Sequence, residues 1–258
     1  MYFFLGNLSC LETSLSSTIL PRVLASLLTG DRNISVTFCI TQFYFLGLLV
    51  GVEYYLLALM SYHRYLAICK PLHYTALMNG RICLQLAAVS WMNGFIIVTI
   101  ITCLMSQLHF CGPNEINHFL CDFTPVIKLS CSDTSLITLV SFILSFISTL
   151  PPFLLTLMSY VFIISTILRI PSTTGRRKAF SSCSSHLIVV TIYYRTLIIV
   201  YTLPHTDTLR DLNKVFSLFY TVLTPLANPL IYSLRNKEVK AALRKVICKC
   251  MELIVIEK

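Results

Sequence analysis

The sequence is poor in charged residues. Asp, Glu, Lys and Arg make up only 12% of its 258 residues, whereas soluble domains carry roughly 25%. Hydrophobic residues account for 56%, and the mean hydropathy is +0.77. A soluble domain of this length still needs a charged surface around its core. The shortage of charge therefore favours a chain that is solvated by a lipid bilayer.

Several motifs are also missing. The sequence has no nucleophile elbow, metal-binding helix motif or phosphate loop, so an enzyme is not expected. It has no alternating pattern long enough for a membrane barrel, and no internal repeats of the kind that transporters use. No charged segment precedes the first apolar run, so no signal peptide is predicted. The net charge of +9 lies in short clusters between apolar runs, which excludes nucleic acid as the expected partner.

The sequence instead contains six long apolar runs. Each can cover the hydrocarbon core of roughly 30 Å, which takes about 20 helical residues. The predicted fold is therefore an all-α membrane protein with a single transmembrane domain over residues 1–258. The runs cover residues 1–28, 35–62, 82–108, 136–170, 179–203 and 212–234, and a short amphipathic helix is predicted over residues 236–248.

Basic residues set the orientation of these runs. They cluster around Arg64, in the "GRRK" segment at 175–178 and after residue 234. Because Lys and Arg favour the cytoplasmic side, these segments are predicted to face inward. The alternation of the runs then places Met1 on the inner side as well, so the number of spans is even.

Four cysteines fall on the predicted outward side, at Cys39, Cys111, Cys121 and Cys131. Thiols in an oxidising lumen favour disulfides, and four of them allow three pairings, among which the spacing does not decide. A zinc site is the alternative, although the short Cys-x-x-Cys pairs that structural zinc prefers are missing.

Two kinds of modification site are also present. Asn33 begins an Asn-Ile-Ser sequon in an outward loop and is a candidate for glycosylation. Cys248 ends the amphipathic segment and Cys250 lies two residues after it. Both cysteines can be palmitoylated or can remain reduced thiols, and both alternatives are open.

Three ionisable residues lie near the middles of apolar runs: Glu12, Glu53 and Arg195. Intramembrane charges are costly and point to function. The two carboxyl groups can share a Na⁺ ion or stay separately protonated, and both alternatives are open. No other cofactor is expected. Arg195 needs a partner, which can be Glu53, backbone carbonyls, water or an anionic ligand, unless it is tolerated without a role.

Five segments together resemble sequences of the odorant receptor family, whose members are rhodopsin-like G-protein-coupled receptors with seven helices. They are "MYFFLGNLSCLE", "MSYHRYLAICKPLHY", the Ser159-Tyr160 pair, "RKAFSSCSSHLIVV" and "TPLANPLIYSLRNKEVKAAL". The resemblance covers the chain from Met1 to about Lys249. It implies that Met1 falls inside the family's second helix, so that this sequence holds helices two to seven and lacks the first.

The resemblance also implies a mechanism. A small volatile odorant would bind in the outer half of the bundle and shift a two-state equilibrium. The inner end would then open toward a heterotrimeric G protein of the stimulatory olfactory type, which raises cyclic AMP. The implied location is the plasma membrane. The alternative is a truncated or decayed product that is retained in the endoplasmic reticulum and does not signal.

Particular residues take roles by this resemblance. Cys39 would pair with Cys121, and Cys111 with Cys131; Cys39 and Arg64 are then separated by about 38 Å of helix, enough to cross the membrane. The implied switch residues are His63, Arg64, Tyr65, Tyr160, Lys178, His186, Asn228, Pro229 and Tyr232. The implied pocket residues are Leu46, Gly47, Val50, Gly51, Leu144, Ser145, Ser148, Tyr194, Arg195, Leu197, Ile198, Tyr201, Leu218 and Thr221.

Two residues depart from the family pattern. His63 stands where the family's Asp-Arg-Tyr motif has its acid, which predicts a weaker restraint on Arg64 or poorer coupling. Arg195 stands where the family commonly has glycine, which predicts either a preference for carboxylic acids or a spoiled pocket.

Overall fold

The computed structural model describes residues 2–30, 33–111, 115–116 and 118–202, with the side chains at 2, 75, 178, 182, 185 and 196–202 left outside the description. These ranges form an all-α bundle; their β-structure is one isolated bridge between Phe110 and Ser130. The helices are α1 (Tyr2–Thr29), α2 (Val36–Cys69), α3 (Pro71–Leu77), α4 (Gly80–Met105), α5 (Phe123–Ile127), α6 (Ser135–Arg169) and α7 (Thr173–Thr202).

Helix α2 is the centre of the bundle. It contacts α1, α3, α4, α6 and α7, and its side chains are buried along most of its length. Val52, Leu56, Leu57 and Met60 are fully buried. Helix α1 packs against α2 through one apolar stripe at helical spacing, which consists of Phe4, Leu8, Leu11, Leu15 and Ile19.

The outer faces of α4 and α6 are apolar and exposed, as Val89, Phe95, Phe142 and Phe146 show. Within the described residues, three helices are long and apolar enough to cross a membrane: α2, α4 and α6. Exposed apolar side chains around such helices form the surface that lipid covers. The fold predicted from the apolar runs, an all-α membrane bundle, is therefore confirmed.

The helix ends differ from the predicted runs. Helix α2 continues to Cys69 rather than ending at residue 62, and α7 begins at Thr173 rather than at 179. The "GRRK" segment, predicted as a loop, is therefore helical. Hydropathy indicates only which residues lie inside the bilayer. A helix can continue beyond them into water, as long as its backbone hydrogen bonds continue. The short helices α3 and α5 were not predicted. The run at 212–234 and the amphipathic helix at 236–248 lie outside the described residues.

Polar side chains accept hydrogen bonds at the starts of several helices. Ser35 Oγ accepts a hydrogen bond from Phe38 N at the start of α2, and Asn79 Oδ1 accepts one from Ile82 N at the start of α4. At the start of α6, Asp133 Oδ1 accepts hydrogen bonds from the Ser135 backbone and hydroxyl, which hold the pKa of Asp133 below its ordinary value. These bonds satisfy donors that a helix start leaves unpaired.

Glycines allow α2 and α4 to approach closely. A Cβ atom on Gly94 would lie 2.9 Å from Val52 Cγ2 and 3.2 Å from the Leu48 carbonyl oxygen, and one on Gly47 would lie 2.8 Å from Val98 Cγ2. The apolar side chains of a membrane bundle gain little by leaving lipid, so close packing of this kind supplies much of the attraction between helices.

We predict that Gly94→Ala separates α2 from α4 and destabilises the bundle by about 1–3 kcal/mol, the usual cost of overpacking. Thermal unfolding of the purified protein in detergent can be followed with a thiol-reactive dye, because Cys83 and Cys183 are free and buried. The matched control is Gly6→Ala, since a Cβ on Gly6 meets nothing within 4 Å. Equal melting temperatures for the two variants would contradict the close-packing interpretation.

Candidate functional site

Two disulfides fasten the outer end of the bundle. Cys39, in the first turn of α2, is bonded to Cys121 of the outward loop, and Cys111 is bonded to Cys131 within that loop. This is the pairing that the resemblance implied, and it leaves no thiols among these four for a zinc site. Beneath the loop lies an apolar cluster that includes Phe43, Met105 and Val126.

Gln42 adds a polar contact that the sequence did not reveal. Its buried side-chain oxygen accepts a hydrogen bond from Cys121 N at 3.3 Å. Gln42 lies about one helical turn after Cys39, so both residues face the same loop. The spacing from Cys39 was the one sequence signal that could have suggested this contact. A single glutamine in an apolar run does not identify its hydrogen-bond partner.

The predicted pocket residues fall in different surroundings. Leu46, Val50 and Tyr194 belong to or pack against one apolar cluster, in which the Tyr194 ring lies 5.0 Å from that of Phe153. Leu144 packs against the outer cluster beneath the disulfide loop. Three of the predicted residues thus line the main apolar core, which runs through the bundle from Phe4 to Tyr194, whereas Leu144 packs against a separate cluster.

Other predicted pocket residues lie elsewhere. Gly47 and Gly51 lie at the contact between α2 and α4, which accounts for their small size by packing. Ser145 is exposed, and the half-buried Ser148 donates a hydrogen bond to the Ser145 carbonyl. Arg195 is exposed, next to the buried Tyr194.

Arg64 lies at the inner end of α2, half-buried where α6 and α7 approach. Its side chain donates a hydrogen bond to the thiol of Cys183 on α7. It also lies within electrostatic range of Tyr160 on α6 and His186 on α7. Three helices therefore meet around one guanidinium group, and this gathers three of the switch residues implied by the resemblance. Cys183 was not singled out from the sequence.

Tyr160 and His186 connect α6 to α7 directly. The Tyr160 hydroxyl and His186 Nδ1 are 2.5 Å apart in a hydrogen bond, and their rings are stacked. Tyr160 is 6% exposed and His186 is fully buried. A hydrogen bond in such surroundings is costly to leave unmade. The Tyr65 ring lies against Phe162 of α6 and completes this inner contact.

His63 is buried beside the short helix α3. Its Nε2 atom forms a hydrogen bond with the hydroxyl of Tyr74 at 2.8 Å. The sequence gave no reason to single out Tyr74, because a helix boundary at Lys70 separates it from His63.

Glu12 and Glu53 are both buried, at 2% and 1% exposure. One carboxyl oxygen of Glu53 has no hydrogen-bond partner among the described residues, and Tyr194 lies within electrostatic range. The described part of the chain contains no group of three or more His, Cys, Asp or Glu residues that could hold a metal ion.

The remaining predicted residues are less informative. Asn33 is exposed, as glycosylation requires, and its carbonyl accepts a hydrogen bond from Arg22. The predicted residues whose side chains lie outside the description are Lys178, Leu197, Ile198, Tyr201, Leu218, Thr221, Asn228, Pro229, Tyr232, Cys248 and Cys250.

A helical membrane bundle with a disulfide-bonded outer loop, and an arginine among three helices at the other end, has the architecture of a seven-helix receptor. Comparison with known proteins agrees, since the family model described as "Olfactory receptor" matches residues 1–250. The chain belongs to the olfactory receptor family of rhodopsin-like G-protein-coupled receptors. It is accordingly a multi-pass membrane protein and not an enzyme.

Individual relatives match over almost the whole chain. Olfactory receptor 11L1 of Homo sapiens is 51% identical over 247 residues, which cover 96% of this chain and 77% of the relative. Olfactory receptor 6Z7 of Mus musculus is 49% identical, with 96% of this chain and 79% of the relative covered. Olfactory receptor 2AP1 of Homo sapiens is 46% identical over 253 residues, covering 98% and 82%.

We predict that Tyr160→Phe destabilises the bundle by about 1–3 kcal/mol, because it removes the hydroxyl partner of a fully buried histidine. The measurement is thermal unfolding of the purified protein. Tyr44→Phe is the matched control, since it deletes a hydroxyl whose 3.3 Å contact with Thr99 is only part-buried. A loss for Tyr160→Phe no larger than for the control would contradict the assignment.

Proposed function

We propose that this protein is an odorant receptor that binds small, mostly apolar volatile molecules in the outer half of its bundle. Binding activates a stimulatory olfactory G protein, which raises cyclic AMP. The observation that carries the proposal is the position of Arg64, where its guanidinium group meets Cys183 and faces Tyr160 and His186. Family membership supports a receptor that recognises odorants and couples to G proteins.

The mechanism follows from how the two ends are fastened. The outer end is held by disulfides, whereas the contacts around Arg64 at the inner end are hydrogen bonds and packed rings. Opening the inner end toward a G protein breaks a few such contacts, each worth about 1 kcal/mol net. An odorant drives this opening only by binding the open state more tightly. Moving a 1:99 population to 99:1 takes a preference of about 10⁴-fold.

Leu46, Val50, Phe153 and Tyr194 all belong to or pack against the main apolar core, and the Tyr194 ring lies 5.0 Å from that of Phe153, which supports an apolar binding region with a hydroxyl group. Such a lining suits small volatile molecules, which offer few polar atoms. Arg195 is exposed. A pocket that prefers carboxylic acids would therefore require the Arg195 side chain to reach the ligand from an exposed position.

The expected result in cells is a surface-exposed receptor that signals. A short tag inserted between Gly30 and Asn33, in the predicted outward loop, would label intact cells. A volatile mixture would raise cyclic AMP when a stimulatory olfactory G protein is co-expressed. The control is Arg64→Ala, which should keep the surface label and lose most of the cyclic AMP response.

Two results would speak against this function. Surface label without any cyclic AMP response across a broad odorant panel would contradict G-protein coupling of this type. Label confined to permeabilised cells would instead favour the alternative, a product retained in the endoplasmic reticulum.

The buried carboxyl groups support a further part of the proposal, a structural Na⁺ ion held by Glu53 with Glu12. Oxygen ligands suit a small hard cation, and burial makes an uncompensated carboxylate costly. We expect Na⁺ to raise the melting temperature of the purified protein relative to K⁺ at equal ionic strength, and Glu53→Gln to abolish the difference. Equal stability of the unmodified protein in both salts would rule the ion out.

A further inference from the structure

The turn that joins α6 to α7 carries three exposed arginines. Arg169 ends α6, whereas Arg176 and Arg177 lie near the start of α7. Residues 134–206 contain no Asp or Glu, so these charges have no carboxylate on either of their own helices. The other described inner connection, from α2 to α4, also lies in a stretch without acids, residues 54–114. Positive charge therefore collects at the α6–α7 turn without acidic neighbours from these segments.

Arg176 fixes the shape of this turn. Its Nη2 atom donates hydrogen bonds to the carbonyl oxygens of Leu168 and Ile170, each at 3.2 Å. The start of α7 is held as well, because the Ser172 hydroxyl accepts a hydrogen bond from Gly175 N at 3.2 Å. These bonds draw the first turns of α7 back against the last turn of α6. The arginines of the two helices are thus held near one another in advance, which lowers the cost of ordering them around a ligand.

Arg169 and Arg177 lie on the lipid-facing sides of their helices. Arg169 follows the exposed Met158 by about three helical turns, so the two residues share one side of α6. Arg177 precedes the exposed Ile188 by the same number of turns, and these two share one side of α7. On both helices an apolar, lipid-covered side therefore ends in an arginine at the inner edge of the bundle, which is the level of the lipid headgroups.

We propose that the α6–α7 turn binds an inositol phospholipid of the inner leaflet that carries two ring phosphates. Arg169 and Arg177 each donate to one phosphate, and the acyl chains lie along Leu168 and Phe180, which are 62% and 54% exposed. Guanidinium groups suit this task because they donate two parallel hydrogen bonds to phosphate oxygens. This inference concerns the membrane around the bundle, and it does not depend on the proposed odorant or G protein.

An acidic segment of a partner protein is the alternative ligand for these charges. Such a segment would enter the bundle around Arg64, where Tyr160 and Cys183 are buried and face the guanidinium group. Arg169 and Arg177 are instead exposed, on the sides of α6 and α7 that carry apolar residues toward lipid. Their positions favour a ligand that is itself part of the membrane.

Lipid binding can be measured directly by native mass spectrometry of the purified full chain in detergent. The probe is dioleoyl phosphatidylinositol bisphosphate, titrated until the lipid-bound form saturates. Arg169→Gln and Arg177→Gln should each weaken binding about fivefold, the factor expected for one basic residue near an anionic surface. The matched control is Arg81→Gln, which removes an exposed arginine at the inner start of α4 and should change binding less than twofold. Equal weakening by all three substitutions would overturn the site.

A second measurement keeps misfolding apart from lost binding. Because a ligand of the folded state raises its stability, the lipid should raise the melting temperature of the unmodified protein. The double variant with Arg169→Gln and Arg177→Gln should melt at the unmodified temperature without lipid, since both residues are exposed. It should gain less from the lipid than the unmodified protein gains. An equal gain in the two proteins would contradict the proposal.

The choice of probe tests the source and chemistry of the ligand. Phosphatidylserine at matched total charge should bind several-fold more weakly, and so should the inositol bisphosphate headgroup without acyl chains. Equal binding of phosphatidylserine would overturn the role of clustered phosphates, and equal binding of the free headgroup would overturn the role of the membrane. Variants that bind the lipid normally but bind a purified G protein more weakly would assign Arg169 and Arg177 to a protein partner instead.

Discussion

The hydrocarbon core of the bilayer offers no water to backbone amides and carbonyls, so each segment that crosses it must satisfy its own hydrogen bonds as a helix. The same solvent gives apolar side chains little reason to leave it for one another. Contacts between helices then depend on close approach and on polar bonds. Both occur around α2, where Gly94 of α4 meets Leu48 and Val52, and where Arg64 bonds to Cys183.

These contacts differ in kind from one end of the bundle to the other. The outer end has covalent bonds and an apolar cluster beneath the loop. The inner end has hydrogen bonds between Tyr160 and His186 and between His63 and Tyr74. A bundle that is fastened in this way changes shape most cheaply at its inner end. That asymmetry is what a receptor needs if it is to take a signal from one side of a membrane to the other.

Much of the fold could be predicted because hydropathy indicates whether each segment lies in lipid or in water. The end of α2 and the start of α7 could not be predicted, since helices continue into water without an apolar signal. The spacing of the four outward cysteines does not decide among their three possible pairings, so the pairing was predicted from the family resemblance. The contact between His63 and Tyr74 crosses a helix break at Lys70, where no sequence period applies. The predicted pocket depended on which helix faces meet, and there Gly47 and Leu144 fall in different surroundings.

The disulfide between Cys39 and Cys121 closes a covalent ring over a sequence separation of 82 residues. Nearly all of α2, the whole of α3 and α4, and part of the outward loop belong to this ring, and the bond between Cys111 and Cys131 ties it to the start of α6. A protease that cuts the inner loop once therefore releases no fragment. The severed helices remain one molecule until a reductant reaches the opposite face of the membrane.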